Sequence, residues 1–260
     1  MEAIDYEVKD KVALVTLKRP DKFNAINLQM RIELTEALHD IKYNPDIWVA
    51  VFTGEGKAFS SGEDLKERGL RERGQKLEIP AGTMDATEMH IFLKSLYKPT
   101  ICAINGICFA QGAGFALSTD IRFASREKAQ IGWPQVKVGI SSISGPSLLP
   151  QMIPLNLALE LLYTGKNLNA EEARTLGIVN RVVPHENLMN EVHQFVAQII
   201  KNAPIPMRLN KEVAVRGANM SIEDRSIFGR SKIFEARQTQ DSKEGVAAFL
   251  EKREPVWKGC

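Results

Sequence analysis

Several familiar signals are scarce in this 260-residue chain. It has only 3 cysteines, so a disulfide-built secreted scaffold is excluded. Cys102, Cys108 and Cys260 lack C-x-x-C spacing, and His39, His90, His185 and His193 lack the spacing of metal ligands, so no metal site is expected. The net charge is only +2 and no dense basic run occurs, which argues against nucleic acid or an anionic membrane as partner. No apolar stretch approaches the roughly 20 residues of a membrane span. The acidic start Met1-Glu2-Ala3-Ile4-Asp5 has neither a signal-peptide apolar region nor an Arg-rich transit pattern, so a cytoplasmic protein is expected.

What is present is an ordinary globular composition, 44% hydrophobic and 25% charged, with two glycine-containing turns. One is Ala58-Phe59-Ser60-Ser61-Gly62-Glu63-Asp64-Leu65. The other runs from Asn105-Gly106 to Gln111-Gly112-Ala113-Gly114. Each follows a β-branched apolar run (residues 47–52 and 100–104) and precedes a helix-like stretch. Small residues at a strand-to-helix turn let backbone approach a ligand and leave N–H groups pointing outward. Two such turns aimed at one point would form an oxyanion hole.

Around these turns, strand, helix and strand alternate from residue 10 to about 135, which predicts stacked ββα units with parallel pairing. Residues 12–17 read as a strand and 28–41 as a helix, with Met30, Leu34, Leu38 and Ile41 on one face. Residues 68–82 read as a loop over the pocket, or, in the first half, as a short helix over 65–73. Beyond Gly139 the pattern is mostly helical. Asn169, Ser221 and Asp241 each resemble an N-cap with an acid three residues on.

Both turns resemble the crotonase (enoyl-CoA hydratase/isomerase) family. The likeness extends through Arg19-Pro20, Asn24-Ala25-Ile26, Lys98-Pro99, Asp120-Ile121-Arg122-Phe123-Ala124, Thr164-Gly165, Gly177-Ile178-Val179-Asn180 and Phe249-Leu250-Glu251-Lys252-Arg253. The resemblance implies an α/β fold, a spiral ββα core over residues 1–200 with a helical trimerisation module over 201–260. It implies an acyl-CoA thioester substrate, no cofactor beyond the coenzyme A of the substrate, and a homotrimer or dimer of trimers. It also implies that the amides of Ser61 and Gln111 hold the thioester carbonyl, with Gly62, Asp64 and Gly112 beside them. Arg19, Ala25 and Lys66 would meet coenzyme A, as would Phe249 and Lys252 from a neighbouring subunit.

The chain departs from the family's hydratases at the two glutamates that hold the added water. One position is occupied by Gly114 and the other by Gln135, in Gly132-Trp133-Pro134-Gln135. Neither can act as a general base. Replacement groups are Glu63, which in some decarboxylating relatives occupies a position that reaches the acyl pocket, Gln135 itself, and Ser141, Ser142 and Ser144. His90 borders the pocket, or is a surface or core histidine. Cys108 is a buried packing residue or a nucleophile.

Four functions are compatible with these residues. The first is a hydratase/dehydratase acting on a non-standard, conjugated or cyclic enoyl-CoA. The others are an enoyl-CoA isomerase, an acyl-CoA hydrolase or decarboxylase, and a non-catalytic acyl-CoA binder.

Overall fold

Parallel strands with nearly continuous apolar sequence need cover on both faces, and that requirement organises this molecule. The computed structural model describes residues 1–260. A six-stranded sheet is built from β1 (Ile4–Lys9), β2 (Val12–Leu17), β3 (Val49–Gly54), β5 (Thr100–Ile104), β7 (Ile121–Ser125) and β10 (Arg181–Val183), in the order β1-β2-β3-β5-β7-β10. Only the β1–β2 hairpin is antiparallel. Its turn residues Asp10 and Lys11 both have positive φ, the conformation that matches a tight turn to strand twist.

A second, four-stranded sheet consists of β4 (Ala58–Ser60), β6 (Ile107–Phe109), β8 (Gln130–Gly132) and β9 (Asn167–Asn169), in that order. The pairs β3–β4, β5–β6 and β7–β8 each send a longer strand to the first sheet and a short one to the second, then turn into a helix or a helical turn. The expected spiral of ββα units is the observed fold.

The helices are α1 (Leu28–Tyr43), α2 (Leu65–Glu72), α3 (Ala86–Ser95), α4 (Gln111–Ser118), α5 (Ser144–Leu148), α6 (Leu155–Thr164), α7 (Ala170–Thr175), α8 (Leu188–Ile199), α9 (Pro204–Arg216), α10 (Ile222–Arg237) and α11 (Gln240–Glu251). Alternation along β3 and β5 separates two cores. Ala50, Phe52, Cys102 and Ile104 join the main core with Met30, Leu34 and Leu38 of α1. Val49, Val51, Ile101 and Ala103 face the other way, onto Val192 and Val196 of α8.

Asn169 caps α7 in a reciprocal pair with Glu172, and Ser221 caps α10, both as expected. Asp241 does not cap α11; Thr239 does. Asp241 instead accepts hydrogen bonds from the Lys258 and Gly259 amides at 2.7 and 2.9 Å, tying down the C-terminal segment. Cys102 and Cys108 are fully buried and free, and burial pushes both thiols well up. A buried neutral thiol is a packing group, so Cys108 is not a nucleophile.

Candidate active site

Strands β4, β6 and β8 are parallel neighbours, so their C-terminal ends lie side by side. The turns that leave them carry Ser61-Gly62-Glu63, Ala110-Gln111 and Trp133-Pro134-Gln135. The family motifs therefore meet at one sheet edge.

Buried asparagines fix the first turn. Asn24 donates through Nδ2 to the Glu55 and Ala58 carbonyls at 3.0 and 2.8 Å, and accepts from the Arg19 amide at 2.8 Å. Asn105 donates to the Gly56 and Ala58 carbonyls and accepts from the Gly54 amide. These bonds supply partners that a tight, buried segment cannot find within itself.

Glycine is required where the two turns touch. Gly62 has φ +102°, and a Cβ there would lie 2.9 Å from the Ala110 Cβ and 3.2 Å from the Gln111 amide nitrogen. A Cβ on Gly112 would lie 2.5 Å from the Ser60 carbonyl oxygen. Gly112 is therefore buried packing that brings the turns together, and it is not among the residues lining the cleft. Gly62→Ala is expected to lose about 1–3 kcal/mol of stability through the strained φ and to lower turnover with it. Thermal unfolding and an activity assay check both, and a variant with wild-type values would show that the turns do not need this approach.

The structure corrects one expected donor. The Ser61 amide donates to the Phe23 carbonyl at 2.9 Å and is not free. The next residues pair with Ile26, whose amide donates to the Gly62 carbonyl while its own carbonyl accepts from Asp64. Between them, the Glu63 amide has no acceptor within the chain. Neither does the Gln111 amide, the first N–H of α4. Ala110, which precedes it, has φ 53° and ψ −116°. That strained conformation for a residue with a Cβ turns the Gln111 N–H away from the strand.

These two amides open onto a cleft of about 760 Å³. Ala25, Ser61, Glu63, Asp64, Lys66, His90, Gln111, Gln135, Ser141, Ser142 and Ser144 all line it. Arg19 does not. Its Nη1 donates to the Ala25 carbonyl at 2.5 Å and to Asp64 at 3.0 Å, with both side chains largely buried. Arg19 is thus committed to holding the first turn and is not a free phosphate contact. Asp64 caps α2 by accepting from the Lys66 and Glu67 amides. Burial would raise its pKa, but the Arg19 bond and those amides outweigh burial and hold it below the ordinary value.

The carboxylate of Glu63 is not the free group that a proton shuttle requires. It is clamped by Arg71 at 2.5 Å and Arg68 at 3.4 Å, both from α2, which is helical where a loop was one expectation. Gln135 donates to Ser142 Oγ at 3.2 Å, and Ser142 Oγ also accepts from the Gly145 amide at 3.1 Å. The Gln135 Oε1 is buried without a partner.

Space at Gly114 is taken. A Cβ there would lie 2.3 Å from Ser144 Cβ and 2.8 Å from His90 Cε1. His90, left open between pocket and core by its sequence position, belongs to both: it lines the cleft and is 8% exposed. Phe249 and Lys252 do not line the cleft of their own chain, and Phe249 is 81% exposed. Asp120 is structural: it accepts from the Thr100 amide and hydroxyl and pairs with Lys211 at 2.7 Å.

A sequence model of the enoyl-CoA hydratase/isomerase family matches residues 7–260. The chain belongs to that family. It is 34% identical over 264 residues to the (E)-benzylidenesuccinyl-CoA hydratase of Thauera aromatica, covering 99% of both chains. It is 36% identical over 251 residues to the carnitinyl-CoA dehydratase of Salmonella agona, with 94% of each chain covered. The enoyl-CoA hydratase of Bacillus anthracis, a solved structure, superposes with a TM-score of 0.89 at 30% identity over 100% of both chains. As a family member the chain is a hydratase-like enzyme acting on acyl-CoA thioesters, and no helix is long and apolar enough to cross a membrane.

Proposed function

We propose that this enoyl-CoA hydratase/isomerase family member is a hydratase/dehydratase acting on a non-standard enoyl-CoA, conjugated or cyclic in its acyl part. The observation that carries this reading is the pair of unbonded amides of Glu63 and Gln111, two residues that line the cleft. Two backbone donors on a thioester oxygen stabilise negative charge there, which makes the Cα–Cβ double bond electrophilic at Cβ and the enolate accessible. Backbone donors held by Gly62 and by the strained Ala110 are pre-organised, so they need not reorient as charge develops. The relatives named above as a benzylidenesuccinyl-CoA hydratase and a carnitinyl-CoA dehydratase favour a lyase over an isomerase or hydrolase. Departure from the standard substrate is supported by Gly114 and Gln135, where titratable carboxylates are lacking. Lys66 at the start of α2 and Ala25 are the proposed coenzyme A contacts on this chain.

A panel of enoyl-CoA and 3-hydroxyacyl-CoA thioesters, with products read by mass spectrometry, tests the reading. Water added to or lost from one conjugated member supports it. Saturable binding with no mass change across the panel would make the protein an acyl-CoA binder instead.

We further propose a trimer or dimer of trimers, a reading that the surface supports. Ile222, Ile227, Phe234, Val246, Phe249 and Leu250 of α10 and α11 are exposed, and α10 buries no residue in its own chain. Such apolar helical surface calls for a partner, and a second copy of this chain supplies one in a trimer or dimer of trimers. Light scattering is expected to give the trimer mass or twice it, and Phe249→Glu with Leu250→Glu to lower that mass. A wild-type monomer would contradict the assignment.

A further inference from the structure

We propose that His90 is the proton-transfer group of this site, standing where the hydratases of the family carry a carboxylate at the position of Gly114. This rests on the enoyl-CoA reading above. The imidazole lines the cleft from α3, a helix fixed at its start by the reciprocal Asp85–Glu88 cap. Its Cε1 is 2.8 Å from the point where a Cβ on Gly114 would stand, and Ser144 Oγ is 2.5 Å from the same point. Histidine and serine thus fill the slot that the missing side chain vacates. Every carboxylate lining the cleft is already engaged: Asp64 by Arg19, Glu63 by Arg68 and Arg71, and Asp21 by Lys22. Gln135 cannot ionise.

The surroundings of His90 keep its ring unprotonated. Burial pushes its pKa down to about 4, with the Gln111 carbonyl and then Asp85 pulling only partly the other way. Asp85 acts on the ring from the start of α3, Lys94 follows one turn later on the same helix, and α4 and α5, which wall this part of the cleft, carry no charged side chain. The imidazole is therefore neutral in the resting enzyme. A neutral imidazole carries one ring N–H and, on the other nitrogen, a lone pair that can take a proton.

During hydration, the oxygen of a water adds to Cβ while one of its protons passes to that nitrogen. The electron pair of the double bond moves through Cα to the thioester oxygen, giving an enolate on the two amides. The imidazolium then delivers the proton to Cα and the carbonyl re-forms, so that H and OH have been added across the bond. Negative charge on the enolate favours the protonated ring while the intermediate lasts. A group that is a weak base at rest thereby gains proton affinity at the step that needs it.

Two probes test this: cinnamoyl-CoA for hydration, and 3-phenylpropionyl-CoA in D2O for deuterium entering Cα, which needs enolate formation but no hydration. His90→Gln and His90→Asn are each expected to slow both by about 100-fold or more, with 3-phenylpropionyl-CoA affinity changed less than about twofold. Circular dichroism establishes that each variant is folded. Added imidazole is expected to restore exchange in His90→Ala, a response that a packing role would not give. Wild-type exchange in a folded Gln or Asn variant would overturn the proposal. If replacing the Gln111 amide abolishes exchange while His90→Gln does not, the thioester reading stands and His90 falls. Absence of exchange in the wild type would overturn His90 whatever the hydration assay shows.

Discussion

Removing the Gln111 amide is expected to lower turnover by about 100- to 1,000-fold, the usual cost of losing one oxyanion-hole donor. Proline is the substitution that does this. Gln111 is the first residue of α4, where proline's fixed φ is tolerated and its missing N–H breaks no helical bond. The residue before a proline prefers extended backbone, and Ala110 at φ 53° is already strained. The comparison is therefore made in an Ala110→Gly background, in which the unusual conformation costs less. Ala110→Gly alone is expected to remain close to wild-type turnover. The additional Gln111→Pro change should abolish most of it, and Gln111→Ala, which keeps the N–H, should not. Steady-state kinetics on the thioester identified by the panel separates the three variants. Equal turnover in the Pro and Ala variants would remove Gln111 from the mechanism.

The second large effect concerns position 114. Gly114→Glu restores the family residue in name but not in place. Its Cβ would collide with Ser144 at 2.3 Å and with His90 at 2.8 Å, both on other elements. Overpacking of this kind costs about 1–3 kcal/mol, and an unpaired buried carboxylate adds about as much again or more. The expected result is a melting temperature lowered by roughly 8 °C or more, with no gain in crotonyl-CoA hydration. Gly114→Glu combined with Ser144→Gly should recover part of the stability. A Gly114→Glu single variant that melts with the wild type and hydrates crotonyl-CoA would mean that the slot is open and His90 is dispensable.

Much of this architecture is legible in the sequence because it is written in local patterns. β2, β3 and β5 are short β-branched runs bounded by turn residues. The glycines after β4 and β6 mark the two turns, and Asn169-Ala-Glu-Glu172 announces its helix. What the sequence withholds depends on partners far along the chain. Ser61 and Glu63 both sit beside Gly62, and only the Phe23 carbonyl, about 40 residues earlier, decides which amide stays free. Arg19 looks like a solvated strand-end cation until Asp64 is placed beside it. Asp241 has the spacing of a cap, yet it binds the C-terminal backbone while Thr239 caps the helix. The absence of a carboxylate at Gly114 is plain in the sequence; that His90 and Ser144 occupy its space is not, since α3, α4 and α5 meet there only in three dimensions.

The central claim is that a thioester carbonyl rests on the Glu63 and Gln111 amides, and its most direct measure is the vibration of that carbonyl. Cinnamoyl-CoA labelled with ¹³C at the thioester carbon gives an isotope-edited infrared band free of protein absorption. On binding, the account predicts a shift of this band to lower frequency than in water, because two pre-organised donors draw charge onto the oxygen. The shift should shrink in the Ala110→Gly/Gln111→Pro variant and persist in Ala110→Gly. A bound carbonyl that vibrates as it does in water, or a shift unchanged by the proline, would contradict it.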